Sequence, residues 1–460
     1  MVAPHPELMR KIRNTKKLIK EKREHLIPSL VKQFPDQYLA LEDFSIFDAL
    51  KPWVESSKPR KKPPQSDLRT LAPIRDRIVV LCVDFPDKPA QISSSEIYTR
   101  FFSPEGKTLR NFYAENSYGK YIPGGEVHGW YRAPQPMTYY VDHQNGFGTY
   151  PNNIQKLVED TIDLASADPA INWSSFDNSN IDVIDYLVIV HAGAESAYTG
   201  SLNDFWAHVW AIDPVIIKGY TFQYYATVSE YMSSPSDAQR TGIDSHEFGH
   251  LLGLPDLYDY SGNSNGAGYF SIMSHGSWAD GGFTPVHMDA WSKYYCGFSN
   301  TLVNQPGMLL VDNAETNDVN YLFTTQYLNE YFMVENRQNM YFDTFLPANG
   351  ILVWKVNVSQ THNDNELCYK VGLVQADGMK HLENSVNYGD PGDSYPGATI
   401  NRAVGIATAP SNVLCDGSYP SFSIRNITDS ASMMSFVVEL CSTPIVKILL
   451  DPTVIKIATG

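Results

Sequence analysis

The spacing of apolar positions changes along the chain, and each change predicts a different kind of element. Near the start, Leu8, Ile12, Ile19, Leu26 and Leu30 fall four or seven residues apart with Lys and Arg between them, the stripe of an amphipathic helix. The stretch Ser56–Pro64 (SSKPRKKPP) then reads as an exposed, dibasic linker open to proteolysis. From Arg77 the texture differs. Ile78–Val83 and Tyr186–Val190 are short unbroken apolar runs, which predict strands buried on both faces. Residues 94–117, 152–167 and 239–254 read as helices, with Leu109, Phe112 and Tyr113 inward on the first. After residue 300, short alternating runs at 331–335, 350–354 and 434–438 are separated by Gly, Asn, Asp and Pro, as in an antiparallel β domain.

These textures divide the chain into a basic helical leader with its linker (1–75), a mixed helix-and-strand segment (76–300), a β-rich segment (301–442) and the opening of a further module (443–460). Charge sharpens the first boundary. Residues 1–62 carry 14 Lys and Arg against 8 Asp and Glu, a net +6, so the rest of the chain carries −22 of the overall −16. A net charge of −16 and a pI near 5.1 for the whole chain argue against nucleic acid as a partner. No apolar run approaches the roughly 20 residues needed to span a bilayer. The five cysteines are far apart and form no CxxC, which argues against a thiolate zinc site. Cys368 with Cys415 is one pairing open in an oxidising compartment; buried free thiols are the alternative. The opening residues lack the apolar core of a signal peptide, so either the protein is cytosolic or its signal lies outside this sequence.

The segment that carries chemistry runs from His246 to Asp259 and reads HEFGHLLGLPDLYD. On a helix, residues i and i+4 share a face, so His246 and His250 are placed to hold one Zn²⁺ between two imidazoles. Glu247, beside the first ligand, is placed as general base toward an activated water and then as general acid toward the leaving amine. Gly253 allows the helix to end with a positive φ, and the returning chain offers Asp256 as third ligand, with Asp259 as runner-up. The spacing HExxHxxGxxD matches the metzincin pattern with Asp in place of the usual third His. Further on, Gly266–Trp278 (GAGYFSIMSHGSW) resembles a Met-turn, with Met273 as the apolar floor under the ion. A solvated helix face and an ordinary core methionine are the plain alternatives for the two motifs taken singly. No GxxxxGK[ST] occurs.

Taken with these motifs, several stretches make the chain resemble the immune inhibitor A-type family of secreted zinc metalloproteases. They are Pro4–Leu8 (PHPEL), Val83–Asp87 (VDFPD), Asn111–Lys120 (NFYAENSYGK), Asp185–Gly193 (DYLVIVHAG), Glu335–Gln338 (ENRQ) and Gly389–Gly397 (GDPGDSYPG). The likeness covers roughly residues 75–440 and, more loosely, the leader. It implies an α+β protein: a zincin- or metzincin-like catalytic domain with a mixed twisted sheet and an active-site helix, then a β-rich, sandwich-like C-terminal domain. It further implies a propeptide leader, one catalytic Zn²⁺ and secretion.

The resulting expectation is a secreted zinc endopeptidase acting on protein or peptide substrates laid along an edge strand. The basic leader is expected to dock on the acidic catalytic part, inhibit it in cis, and leave after cleavage near Lys58–Lys62; a plain solvated charge run is the alternative. A surface adhesin or cell-wall-associated binding protein with a relic zinc site is the alternative function. The acidic loops at Asp390–Asp393 and Asp256–Asn265 offer oxygen ligands of the kind structural Ca²⁺ takes, although such loops are more often ordinary turns. His191 reads as a core histidine, while His208 and His275 carry no ligand signal. Tyr258 and Tyr269 are candidate oxyanion donors set against simple packing.

Overall fold

The computed structural model describes residues 3, 5–6, 74–303 and 306–440. The leader stripe, the dibasic linker and the 443–460 segment lie outside the described residues.

Strand β1 (Arg77–Asp84) shows why an unbroken apolar run predicts a doubly buried strand. Ile78, Val80 and Cys82 face one core and Val79, Leu81 and Val83 another. The chain continues through α1 (Ser94–Phe102), α2 (Leu109–Asn116), β2 (Gly124–Arg132), α3 (Met137–Val141) and α4 (Ile154–Ser166). There follow β3 (Leu187–His191), α5 (Ser196–Thr199), β4 (His208–Ile217), β5 (Tyr220–Ser229), α6 (Thr241–Leu251) and α7 (Ala290–Tyr295). The five strands form one sheet in the order β2-β1-β3-β5-β4. All neighbours are parallel except the edge strand β4, which runs antiparallel to β5. Helix α4 covers one face through Ile154, Leu157, Val158 and Ile162. Helices α1, α2 and α6 cover the other, with Phe101, Phe112, Ile243 and Phe248 among the residues buried there.

The expected helix over 94–117 is two helices. Pro104 and Gly106 interrupt it, and Thr108 caps the second by accepting from Asn111 N. Its inward residues Leu109, Phe112 and Tyr113 are buried as read. The β4–β5 hairpin was not read from the sequence, because Pro214 breaks its alternation. The structure accommodates that proline at a register shift on the sheet edge.

The β-rich segment adds a five-stranded sheet, β11 (Val371–Leu373), β10 (Gly350–Asn357), β9 (Glu330–Arg337), β8 (Val319–Thr324) and β6 (Asn300–Val303). A three-stranded antiparallel sheet, β12 (Phe422–Arg425), β13 (Met433–Leu440) and β7 (Gly307–Asp312), packs against it. On β10, Ile351 and Val353 face the small sheet, whereas Leu352 and Trp354 face the core shared with α6 and Met273. Period-two alternation thus places one sheet between the small sheet and the mixed-sheet half. The molecule is α+β, with a mixed-sheet half followed by a β-rich half.

Candidate active site

Helix α6 is buried along nearly its whole length: every residue from Thr241 to Gly249 is buried. Such a helix holds polar groups only if each finds a partner. Tyr113 Oη donates to Ser245 O at 2.6 Å, and Arg100 Nε meets Asp244 Oδ2 at 2.9 Å. Burial pushes the Asp244 carboxyl up to about 6, with Arg100 acting against it. These contacts tie α6 to α1 and α2 and fix its rotation.

His246 and His250 project from one face of α6, as their spacing requires. Each donates its Nδ1–H to a backbone carbonyl at 2.8 Å, His246 to Ile272 and His250 to Leu254. That choice of tautomer leaves both Nε2 atoms as lone pairs, and they lie 3.2 Å apart. Asp256 Oδ1 completes the convergence, 3.0 Å from His246 Nε2 and 3.2 Å from His250 Nε2. Two ring nitrogens and a carboxylate oxygen thus meet at one point. The donor set therefore fits a divalent metal, and its two imidazoles and one carboxylate suit Zn²⁺.

The turn that delivers Asp256 depends on Gly253, at φ 91°. Asp259 does not join the group. Its Oδ1 accepts from Ser261 N and Oγ, its Oδ2 from Ser264 N and Oγ, and it closes its own turn. Glu247 is wholly buried next to His246. Met273 is also fully buried, and its carbonyl accepts from Leu257 N at 2.7 Å.

Tyr260 carries a role that sequence reasoning missed: its hydroxyl donates to Asp256 Oδ2 at 2.7 Å and orients that carboxylate. Nothing in the sequence signals it beyond its place four residues after Asp256. Tyr258 stacks on His246 with ring centres 6.4 Å apart, and burial, followed by the charge of Asp256, raises the phenols of both tyrosines well above the usual range. Tyr269 lies instead beside Tyr388, at 5.4 Å between ring centres. His191 is a core residue against Phe205, its imidazole lowered to about 4 by burial. His208 is likewise buried and donates to Trp206 O at 2.7 Å. His275 packs on Tyr388 at 4.5 Å.

The start of the chain reaches this region. Trp278 Nε1 donates to Ala3 O at 2.7 Å, and His5 N donates to Ala197 O at 2.8 Å. The His5 ring meets Trp278 and Tyr198 edge-on at 5.0 and 5.2 Å.

A buried helix with paired imidazoles, a neighbouring glutamate and a carboxylate returned past a glycine bend, beside a mixed sheet, has the donor set that metal-assisted hydrolysis calls for. Residues 90–301 match the immune inhibitor A peptidase M6 catalytic domain. It is 31% identical over 271 residues to the Pre-pro-metalloprotease PrtV of Vibrio cholerae, a match covering 48% of this chain and 29% of that protein. It is 28% identical over 339 residues to Immune inhibitor A of Bacillus thuringiensis subsp. alesti, covering 62% of this chain and 48% of that protein. The chain thus spans less than half the length of these curated relatives.

Proposed function

We propose that the protein is a secreted zinc endopeptidase in which His246, His250 and Asp256 hold the ion and Glu247 moves the proton. The observation that carries this reading is the convergence of two imidazole lone pairs and one carboxylate within 3.2 Å on a buried helix. Bound there, Zn²⁺ supplies Lewis acidity toward the scissile carbonyl and toward an attacking water. Glu247 takes the proton from that water and passes it to the departing amine. Tyr260 keeps Asp256 in one orientation, and the Ile272 and Leu254 carbonyls keep both imidazoles in the ligating tautomer. The substrate lies extended beside edge strand β4, whose outer side has no partner strand among the described residues. Secretion is supported by the Cys368–Cys415 disulfide and by the pre-pro designation of the Vibrio relative. No helix among the described residues is long and apolar enough to cross a membrane.

The leader acts as an inhibitor in cis; the contacts of Ala3 and His5 with Trp278, Ala197 and Tyr198 support this part of the reading. A relic-site adhesin is disfavoured by the buried Glu247, which a purely structural zinc site does not require. Hydrolysis of an unstructured protein such as casein, with and without chelator, tests the proposal. Cleavage that disappears with chelator and returns with zinc is expected, whereas a folded, leader-free, zinc-loaded chain that cleaves nothing contradicts it.

A further inference from the structure

A second group of ligand-type side chains converges in the β-rich half. Asp377, His381 and Asp390 each present one ligand atom, and these atoms lie within 4.8 Å of one another. Asp390 Oδ2 lies 2.9 Å from His381 Nδ1 and also accepts from Asn387 Nδ2 at 2.6 Å. Asp393, three residues after Asp390, is 0% exposed. One of its carboxylate oxygens accepts from Asp390 N at 2.7 Å, while the other, Oδ1, is buried with no hydrogen-bond partner. A buried acceptor without a donor costs roughly 1–3 kcal/mol, and more when it is charged. Gly392 threads the chain between the carboxylates: a Cβ there would stand 2.6 Å from Asp377 Oδ2 and 3.0 Å from Asp390 Oδ1.

We propose that Asp377, His381 and Asp390 form a second metal site, built for a divalent transition-metal ion of the zinc or manganese kind. Two carboxylates compensate such an ion, and the buried Asp393 carboxylate, which accepts from Asp390 N, adds negative charge next to them. An imidazole nitrogen among the donors departs from the all-oxygen shell of Ca²⁺, so the occupant differs from the calcium that the acidic loop suggested from sequence. The second loop considered for calcium is closed on itself by Asp259.

The site has a structural consequence. Its residues bracket a loop that lies on the catalytic half: Tyr388 O accepts from Tyr269 N at 2.7 Å, and Leu382 O from Asn265 N at 2.9 Å. The Tyr388 ring packs 4.5 Å from His275, His275 lies 6.1 Å from Tyr258, and Tyr258 stacks on His246. The ion clips the loop that backs the Met273 turn and, through it, braces the wall of the first site. The site stands on its own donors and does not depend on the peptidase reading.

The test is the zinc content of the full chain after equilibration with Zn²⁺ and gel filtration into metal-free buffer. Two zinc per chain are expected for the unaltered protein and one for His381→Gln/Asp390→Asn. The double variant His246→Ala/His250→Ala is expected to keep one, and to retain it against millimolar Ca²⁺. If the unaltered chain takes one ion and His381→Gln/Asp390→Asn takes none, this site stands and the peptidase reading fails. An equal zinc count with and without His381→Gln/Asp390→Asn overturns the proposal, as does displacement of that ion by Ca²⁺. Should either variant misfold, zinc-dependent protection of the 376–393 segment in the unaltered chain, read by amide exchange, decides instead: protection supports the site, and its absence overturns it.

Discussion

At the residue scale, the candidate site turns on which aspartate faces the imidazoles. Asp256 lies 3.0 Å from His246 Nε2, while both oxygens of Asp259 are engaged by Ser261 and Ser264. Asp256→Asn is therefore expected to weaken zinc binding by at least tenfold, and Asp259→Asn to leave it within about twofold, as read by chelator competition. The reverse order would reassign the third ligand. His246, Glu247 and His250 were legible because i, i+4 spacing on a helix is a local property. Tyr260 was not, because its value lies in where a turn carries its hydroxyl. Glu195 was equally hidden. It is fully buried and accepts from Ala197 N, Ala207 N and Ser229 Oγ, each at 3.1 Å. Burial pushes its carboxyl from 4.5 up to about 8. The folded state alone keeps this proton between those two values. The stabilisation is thus complete below about 4.5 and is lost as pH rises toward about 8, by at most ~1.4 kcal/mol per pH unit. Glu195→Gln keeps an acceptor for the two amides and gains a donor for Ser229. Its melting temperature is expected to fall less steeply than that of the unaltered chain between pH 5 and pH 8, and parallel curves would contradict this.

At the element scale, the end of α6 is the decisive feature. A helix that continued past Leu251 would carry Asp256 away from the imidazoles. It stops because Gly253 adopts φ 91°, a region where a side chain costs about 1–2 kcal/mol. Any Cβ there also meets Tyr295 Oη at 3.2 Å. Gly253→Ala is expected to lower stability by about that amount and to weaken zinc binding together with it; chemical denaturation and chelator competition on the same sample read both. Lower stability with unchanged zinc affinity would show that the bend does not position Asp256. The elements read well from sequence were those whose pattern is uninterrupted, such as β1, β3 and α4. The β4–β5 hairpin escaped because an edge strand tolerates a proline that a central strand does not. The split between α1 and α2 escaped because the apolar period resumes in phase beyond Pro104.

At the scale of the whole molecule, the two halves share one core. Leu352 and Trp354 of β10 belong to the same buried cluster as Met273 and Phe248. Arg337, itself wholly buried, donates to Asp343 Oδ1 at 2.6 Å and to Phe270 O at 3.2 Å, joining β9 to the Met273 turn. Sequence gave the β texture of the second half but no sign that one of its sheets would be buried on both faces. Such pairing is long-range and has no local signature. The charge split between leader and body belongs to this scale as well, and it leads to a direct expectation. A peptide of residues 1–62 added to the leader-free chain is expected to inhibit protein hydrolysis, with inhibition weakening as salt is raised. No inhibition at stoichiometric excess would leave the leader a solvated charge run. The central claim, that a glutamate beside a helix-borne metal site moves the proton of peptide hydrolysis, is tested most directly by Glu247→Gln. Zinc content and casein hydrolysis are measured on the same preparation as the unaltered chain. The account predicts unchanged zinc and a rate lower by at least 10²–10⁴-fold; a variant that holds its zinc and still cleaves protein at the unaltered rate would contradict it.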